Sequence, residues 1–516
     1  MSRGNISGGS DSAAPAPVQR ADPSEPQEKS EKSSEKLEKK GSGERKRVLV
    51  ITYYWPPSGG AGVQRFLKFV KYFRDYGVDP VVLTCSNPTY PIVDTSLLED
   101  VPGDVTVAYA RTLEPFGVYG RMSGVPAEEA ANPTTILGDR NLGPVQRLAR
   151  WLRANIFLPD ARVGWVPFAL RKARRLIREH RIDTVITTGP PHSTHFIGRA
   201  LKRRTGIRWV ADFRDPWTDI HYNRVLPRTA VARKIDLRME ASVLTFADEV
   251  TVTAPGTARY FARKVERTYH TIPNGFDPDD FPAPTPSTRN PKKPQPAPLD
   301  TTPAHETGEQ RADSKQGKTF TVRHVGSITE TCVPENLLLA VKKLQNVPVR
   351  VEFVGMVHAR LLALIREHGL GETVTVHPYV PHKEATMLMC QSDLNVVVVH
   401  QSEDSRILIP GKLYDYLYAG RPVMVIGPTD GDAAQIVRSC NIGKAFDYDD
   451  AEGPAGWIGR LAGKADPAGW DPAGANADTA HSTSNAGEIS RYARPELTRR
   501  LAELISKPQS SNTSAQ

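Results

Sequence analysis

Short, unbroken apolar runs alternating with helix-period stretches set the tightest limit on how this chain can fold. Val48-Leu49-Val50-Ile51-Thr52 stays apolar until its end, so both of its faces need cover, as in a strand inside a parallel sheet. A Pro/Gly loop spans 53–62, and Val63–Tyr76 then repeats apolar residues at helical spacing through Val63, Phe66, Leu67, Val70 and Phe73. Gly77 stops that helix, and Val81-Val82-Leu83-Thr84 reads as the next strand, completing a βαβ unit with an expected right-handed crossover. Further strands are expected at Val105–Tyr109, Thr184–Thr188, Arg208–Asp212, Glu249–Thr253 and Thr271-Ile272, with helices near 166–180, 193–204 and 228–246.

The same alternation restarts at Phe320–Val325. It continues through strands at Val349–Val354, Val374–His377, Leu394–Val399 and Val423–Ile426, with helices at 334–344, 359–368, 383–391 and 411–419. Residues 433–439 and 454–463 supply two more candidate helices, and Leu497–Ile505 a last amphipathic one. Two doubly wound α/β domains are expected, and ligands in such sheets bind beyond the carboxyl ends of the strands.

Between and around these blocks the composition cannot build a core. The first 47 residues are rich in Ser, Pro, Glu and Lys, and residues 282–318 hold eight prolines and almost no large apolar side chain. Residues 465–488 are Ala/Gly/Asp/Ser-rich and 508–516 are polar, so disorder is expected in all four stretches. They explain why the hydrophobic content of the 516-residue chain is only 39%.

Several classes of function are excluded on the same page. An apolar run long enough for a transmembrane helix is absent, and Met1-Ser2-Arg3-Gly4 leads into polar residues without the apolar region of a signal peptide. Cys85, Cys332, Cys390 and Cys440 lie far apart and form no CxxC pair, so neither a metal nor a disulfide framework is expected and a reducing cytoplasm fits. The net charge of +9 allows weak attraction to an anionic membrane surface or a phosphorylated substrate, without any nucleic-acid-binding signature.

Candidate chemistry sits in the loops after strands. Tyr53–Gly62, with Gly59 and Gly60, joins the first strand to the first helix, where small residues let backbone N–H groups approach phosphate or sugar. The loop is neither GxGxxG nor a Walker motif, so nicotinamide and P-loop chemistry are unsupported; the plainer alternative is a turn that needs glycine. In Gly189-Pro190-Pro191-His192-Ser193-Thr194-His195, His192 is placed at a strand's carboxyl edge, able to donate a hydrogen bond or shuttle a proton, unless it is a loop histidine without a role. In Asp212-Phe213-Arg214-Asp215-Pro216-Trp217, Arg214 and Asp215 either shape an acceptor pocket or join a structural ion-pair knot. Pro273-Asn274-Gly275 reads most simply as a turn.

In the second half, Gly326 and Ser327 end a strand. Pro410-Gly411-Lys412-Leu413-Tyr414-Asp415 opens a helix whose first-turn N–H groups, with Lys412, make a diphosphate cradle. Asp415 lies at i+3 on the same face and can accept hydrogen bonds from two ribose hydroxyls; the alternative is a Lys–Asp surface pair.

In this order, the Trp55–Gly62 loop, Gly189–His192, Asp212–Trp217, Ile272–Gly275, Val325–Ser327 and Pro410–Pro422 resemble the GT-B-fold glycosyltransferases of the family 4-like group. The resemblance spans nearly all of 48–445, and Leu497–Leu504 looks like the helix that crosses back to the first domain. It implies two Rossmann-like domains facing a cleft, with His192 and Lys412 catalytic. The donor would be held by Gly59, Gly60, Gly326, Ser327, Pro410, Gly411, Lys412 and Asp415, and the acceptor by Arg214 and Asp215. It further implies retaining transfer from a nucleotide-diphosphate sugar to a glycan or lipid-linked acceptor, without metal or other cofactor. The protein would be cytoplasmic and able to touch the inner membrane surface peripherally. Two rivals share these features, a nucleotide-sugar 2-epimerase and a non-catalytic sugar-nucleotide binding protein. The chain departs from the family pattern at Ile407, where the first of two glutamates would stand, and at Ser327, in place of an arginine; Lys412 and Arg406 are the candidates to restore that positive charge.

The expected division is a disordered tail 1–47, an N-terminal domain 48–275 and a Pro-rich linker 276–318. A C-terminal domain 319–464, a low-complexity segment 465–488, a closing helix 489–507 and a tail 508–516 complete it.

Overall fold

The structure, a computed structural model, describes residues 45–88, 93–114, 143–220, 223, 226–282, 319–344, 346–463 and 484–507. The expectations for most of the N-terminal tail, for 283–318, for 464–483 and for 508–516 therefore lie outside the described residues.

Two parallel sheets form the frame. The first has seven strands in the order β3-β2-β1-β4-β5-β6-β7. In chain order these are β1 (Lys46–Ile51), β2 (Val78–Cys85), β3 (Thr106–Ala110), β4 (Thr184–Gly189), β5 (Arg208–Phe213), β6 (Glu249–Val252) and β7 (His270–Thr271). The second has six, in the order β10-β9-β8-β11-β12-β13. These are β8 (Phe320–Val325), β9 (Val349–Val354), β10 (Val374–His377), β11 (Leu394–Val398), β12 (Val423–Ile426) and β13 (Gly443–Phe446). Each order reverses once, between β1 and β4 and between β8 and β11, and those reversals open crevices at the carboxyl ends of the strands.

The apolar runs explain why both faces are covered. Side chains alternate along a strand, so Leu49 and Ile51 pack on one face while Val48 and Val50 pack on the other. The first face meets α3 (Val166–Glu179), α4 (His195–Thr205) and α5 (Ala230–Phe246) through Ala169, Ala173, Leu176, Ile197, Leu201, Val243 and Leu244. The second face is covered by α1 (Ala61–Tyr72) and by α14 (Arg494–Ser506), the last helix described. Leu497, Leu501 and Ile505 of α14 are buried against Val48, Val50 and Ile186, each worth about 1.5–3 kcal/mol of burial.

Three short elements were not expected. Helix α2 (Pro144–Asn155) precedes α3, α6 (Pro255–Ala262) follows β6, and β13 closes the second sheet at its edge. The sequence of α6 is only eight residues long, and β13 is a half-buried Gly-Lys-Ala-Phe without an apolar run. In the second half the helices are α7 (Glu335–Lys342), α8 (Ala359–Glu367), α9 (His382–Gln391), α10 (Lys412–Ala419), α11 (Asp432–Ser439) and α12 (Glu452–Ala462).

Two stretches assigned to linkers are structured. The rings of Phe276 and Phe281 lie tilted against Tyr418 at 4.9 and 4.6 Å and belong to the core under α10, and α13 (Ser484–Ser490) occupies the end of 465–488. Burial of the two phenylalanines draws 276–282 into the second half despite the prolines that follow. Phe276 also pairs in parallel with Ala493, its N–H donating to Tyr492 O at 3.0 Å and its carbonyl accepting from Arg494 N at 2.8 Å. Among the described residues no helix is long and apolar enough to cross a membrane.

Candidate functional site

The two crevices carry the residues singled out in the sequence. At the first, the loop after β1 and the turn after β4 flank the reversal point. Here His192, Arg214, Asp215 and Gly59 line a cavity of about 360 Å³, together with Tyr54, Phe157 and Pro159. His192 is buried, its ring stacked on Trp217 at 4.9 Å with the planes 5° apart, and neither ring nitrogen has a hydrogen-bond partner. Burial, and then the neighbouring His195 and Arg214, hold it well below its ordinary pKa, so it is a neutral imidazole ready to exchange a hydrogen bond with a ligand.

Arg214 lies over Gly62, and its guanidinium donates to Gly189 O at 3.3 Å and to Pro190 O. A Cβ at Gly62 would stand 1.8 Å from Arg214 Nη1, so this glycine of the loop serves the arginine rather than a phosphate. Gly62→Ala is expected to displace Arg214 and to lower stability by about 1–3 kcal/mol, as overpacking does, read as a drop in melting temperature. An unshifted melting point would show that the side chain swings away freely.

Asp212 does not share this role. It is buried against Arg65, whose Nη2 lies 2.7 Å away, and accepts from Thr188 at 2.9 Å and Thr251 at 2.7 Å. Burial alone would raise its carboxyl, but the charge and hydrogen bonds of Arg65 hold it below the usual range. Arg65 also donates to Pro273 O at 2.8 Å and reaches Asn274, so the expected turn is where the first sheet hands the chain on. An ion-pair knot therefore exists between Asp212 and Arg65, and the charges of Asp215 and Asp212 also act on Arg214.

At the second crevice, Gly326 ends β8 at φ +124, and a Cβ there would lie 2.5 Å from Lys412 Nζ. Lys412 is half-buried at the start of α10, and its Nζ is 2.8 Å from His324 Nε2. His324 Nδ1 is 2.9 Å from Val396 O, an acceptor, which places the proton on Nδ1 and leaves Nε2 to accept from Lys412. Sequence reasoning missed this histidine as the holder of Lys412; its place two residues before Gly326 on one strand was the available signal. The Lys412–Asp415 surface pair does not form. Burial lowers the Lys412 ammonium to about 8, against the pull of Cys332 and Asp415. Pro410 and Gly411 form the helix start, their carbonyls accepting from Leu413 N at 3.0 Å and Tyr414 N at 3.1 Å, and Ser327 is exposed beside Gly326.

Asp415 turns toward charges at the domain boundary. Burial raises its carboxyl to about 6; His382 opposes the rise and Asp280 adds to it. Nearby, Lys68 Nζ lies 2.8 Å from Asp100, 2.8 Å from Asp277 and 2.5 Å from Asp280, so an ammonium already fills the acidic trio spaced closely enough to ligate a cation.

Gly59 lines the first-half cavity, whereas Gly411 and Lys412, expected to meet it across a cleft, open α10 in the second half. The first-domain cavity is lined by Gly59 and by no residue of Gly411–Asp415, while Gly60, at φ +99, only turns the chain into α1. Arg214 and Asp215 are among the residues that reach across to the second half. They also line a small cavity shared with Ile407, Ile409 and Tyr414 of the second half.

Residues 124–280 match the profile described as Glycosyltransferase Family 4. A comparison with the curated proteins finds no significant match. Among solved structures, Anabaena Alr3699/HepE in complex with UDP superposes with 15% sequence identity, 89% of this chain and 99% of that one covered, and a TM-score of 0.55. Sucrose-phosphate synthase (tll1590) from Thermosynechococcus elongatus gives 14% identity, 89% and 98% coverage and a TM-score of 0.54. The apo form of the lipopolysaccharide outer core galactosyltransferase WaaB gives 10%, 89% and 99%, and 0.50. The chain has the GT-B glycosyltransferase fold. At these identities the solved structures speak to the fold.

One departure from the GT-B pattern, Ile407, acquires a physical account. Ile407 packs into α6, where a Cβ on Gly256 would come within 2.3 Å of its Cγ2, so an apolar knob at the domain boundary stands where an acid is usual. Gly256 N donates to Asp432 Oδ2 at 2.6 Å and Arg259 pairs with Asp432 at 3.1 Å beside it. Arg406 does not replace the lost positive charge: it is exposed and bound to both carboxylate oxygens of Asp430 at 3.0 and 2.9 Å.

Proposed function

We propose that this GT-B chain transfers a sugar, with retention, from a nucleotide-diphosphate donor to a glycan or lipid-linked acceptor. The observation that carries the reading is Lys412, a half-buried ammonium at a helix start whose hydrogen bond goes to a neutral imidazole, beside a glycine that keeps the space above it open. A departing diphosphate gains negative charge during bond cleavage, and a preorganised cation with helix N–H groups stabilises that charge more than the intact donor. In this reading Gly326, Ser327, Pro410 and Gly411 frame the diphosphate and Asp415 holds the ribose. His192 meets the reacting sugar or acceptor hydroxyl, and Arg214 with Asp215 orients the acceptor. HepE, which shares the fold, is described in complex with UDP-glucose, a donor of this class. No metal is assigned a part.

Titration calorimetry with the diphosphates of uridine, guanosine, adenosine and cytidine tests the donor site, and product analysis separates a transferred sugar from an epimerised one. Failure of every nucleotide to bind would remove the reading.

The pH dependence has a defined sign. Asp415 accepts hydrogen bonds as a carboxylate, so donor binding should rise as pH climbs through about 6. Lys412 acts as an ammonium, so kcat/KM should fall as pH climbs through about 8. The expected profile is a bell. Asp415→Asn should abolish the acid limb and Lys412→Arg, always protonated, the alkaline one. Limbs that persist in these variants would assign the titration to other groups.

A further inference from the structure

We propose that the first domain docks on an anionic lipid bilayer through the outward face of α2, at the mouth of the cavity assigned to the acceptor. A helix packed on a domain normally turns its apolar stripe inward. Helix α2 does the reverse. Val145, Leu148, Trp151 and Ile156 share one side and are 54%, 53%, 42% and 62% exposed, whereas Ala154 is buried and Arg153 lines the cavity. Nothing among the described residues covers this stripe.

The patch continues onto α5. Asn155 donates to Pro227 O at 2.9 Å and accepts from Thr229 N at 2.7 Å, tying the end of α2 to the N-cap of α5. The first turns of α5 expose Val231 and Ile235 together with Arg233, Lys234 and Arg238. Its acids face the other way: Asp236 and Glu240 are buried and paired with Arg228 and Lys264. Residues 143–159 and 226–235 contain no Asp or Glu, so the two stretches that carry the apolar stripe contribute only basic charge to its rim. Apolar and tryptophan side chains in the middle, with arginine and lysine around them and no acid, complement an anionic headgroup layer over an apolar interior. An exposed apolar patch with a polar rim marks an interaction site, and the basic sign of this rim matches an anionic headgroup layer.

The position adds a consequence. Arg153 and Phe157 from the α2 side and Leu226 and Arg228 from the α5 side line the cavity, so both docking elements border it. An acceptor anchored in the bilayer reaches His192 without leaving the surface. This delivery step rests on the proposed function; the docking itself rests on the surface alone.

Co-sedimentation of the full chain with vesicles tests it. Binding is expected to phosphatidylcholine vesicles containing phosphatidylglycerol, with little to phosphatidylcholine alone, and should weaken as salt rises. Leu148→Glu and Trp151→Glu should each reduce partitioning about tenfold or more, with melting temperature and nucleotide-diphosphate affinity unchanged. Arg233→Glu with Lys234→Glu should remove the preference for phosphatidylglycerol. Absence of binding, or equal binding by both α2 variants, overturns the proposal. So does a dimer in solution that Leu148→Glu dissociates, since a second copy would then own the face. Vesicle binding by a chain that binds no nucleotide would leave docking standing and remove only the transferase reading.

Discussion

Lys412→Ala is expected to lower kcat/KM about 10²–10³-fold, the usual effect of removing one preorganised group from a developing oxyanion. The loss should fall on turnover more than on binding of the intact donor, because the diphosphate carries more charge as the glycosidic bond breaks. Stability should suffer little, since burial already disfavours the ammonium that the substitution removes. Lys412→Arg preserves the charge but enlarges a group confined between Gly326 and His324, so intermediate turnover is expected. Steady-state kinetics paired with calorimetry reads both quantities. Turnover unchanged in Lys412→Ala would mean that α10 does not face the reaction.

The largest effect on stability is expected from Asp212→Ala. Arg65 and Asp212 are essentially inaccessible to solvent, and the substitution strands a guanidinium inside the first domain along with the hydroxyls of Thr188 and Thr251. Breaking a buried pair in this way costs about 3–5 kcal/mol, because the surviving charge keeps its desolvation penalty and loses its partner. The double variant Arg65→Met, Asp212→Leu should recover most of that loss. Denaturant unfolding followed by tryptophan fluorescence would report the difference in midpoint. A single variant as stable as the parent would show that water reaches Arg65 and that the pair is less buried than its geometry implies.

The frame of the molecule is written plainly in the sequence, because a run of about four to six apolar residues bounded by turn residues is too short for a helix and fits a strand covered on both faces. Val48–Ile51 and Val423–Ile426 are apolar throughout, and each sits in the interior of its sheet. Edges leave no such mark: β13 has one side open and reads as Gly-Lys-Ala-Phe. Helix α2 was legible in principle, since its apolar residues recur at helical spacing, but that spacing says nothing of which way the stripe points. Phe276 and Phe281 were hidden by the prolines after them, although two phenylalanines that close together signal a core more strongly than a neighbouring proline denies one.

The candidate site divides in the same way. Positions such as Gly326, Gly411 and Lys412 could be found because they follow strands or open helices, where backbone groups are left for a ligand. Partners distant in sequence could not. Apart from its place two residues before Gly326, nothing announces His324 as the partner of Lys412, nothing in Asp212-Phe213-Arg214 says that Asp212 answers to Arg65, and the fit of Ile407 against Gly256 exists only once the two halves touch.

The parallel pairing of Phe276 with Ala493 has a mechanical meaning. The described chain leaves the first half at Gly275 and returns to it at Arg494, and the two passages run side by side, hydrogen-bonded to each other. A sliding displacement of one lobe along the other would shear both passages at once. A swivel about the line they share leaves their two hydrogen bonds intact and changes the distance from His192 to Lys412. Elsewhere on the boundary Gly256 N and Arg259 hold Asp432, so such a swivel has to carry or break those contacts as well.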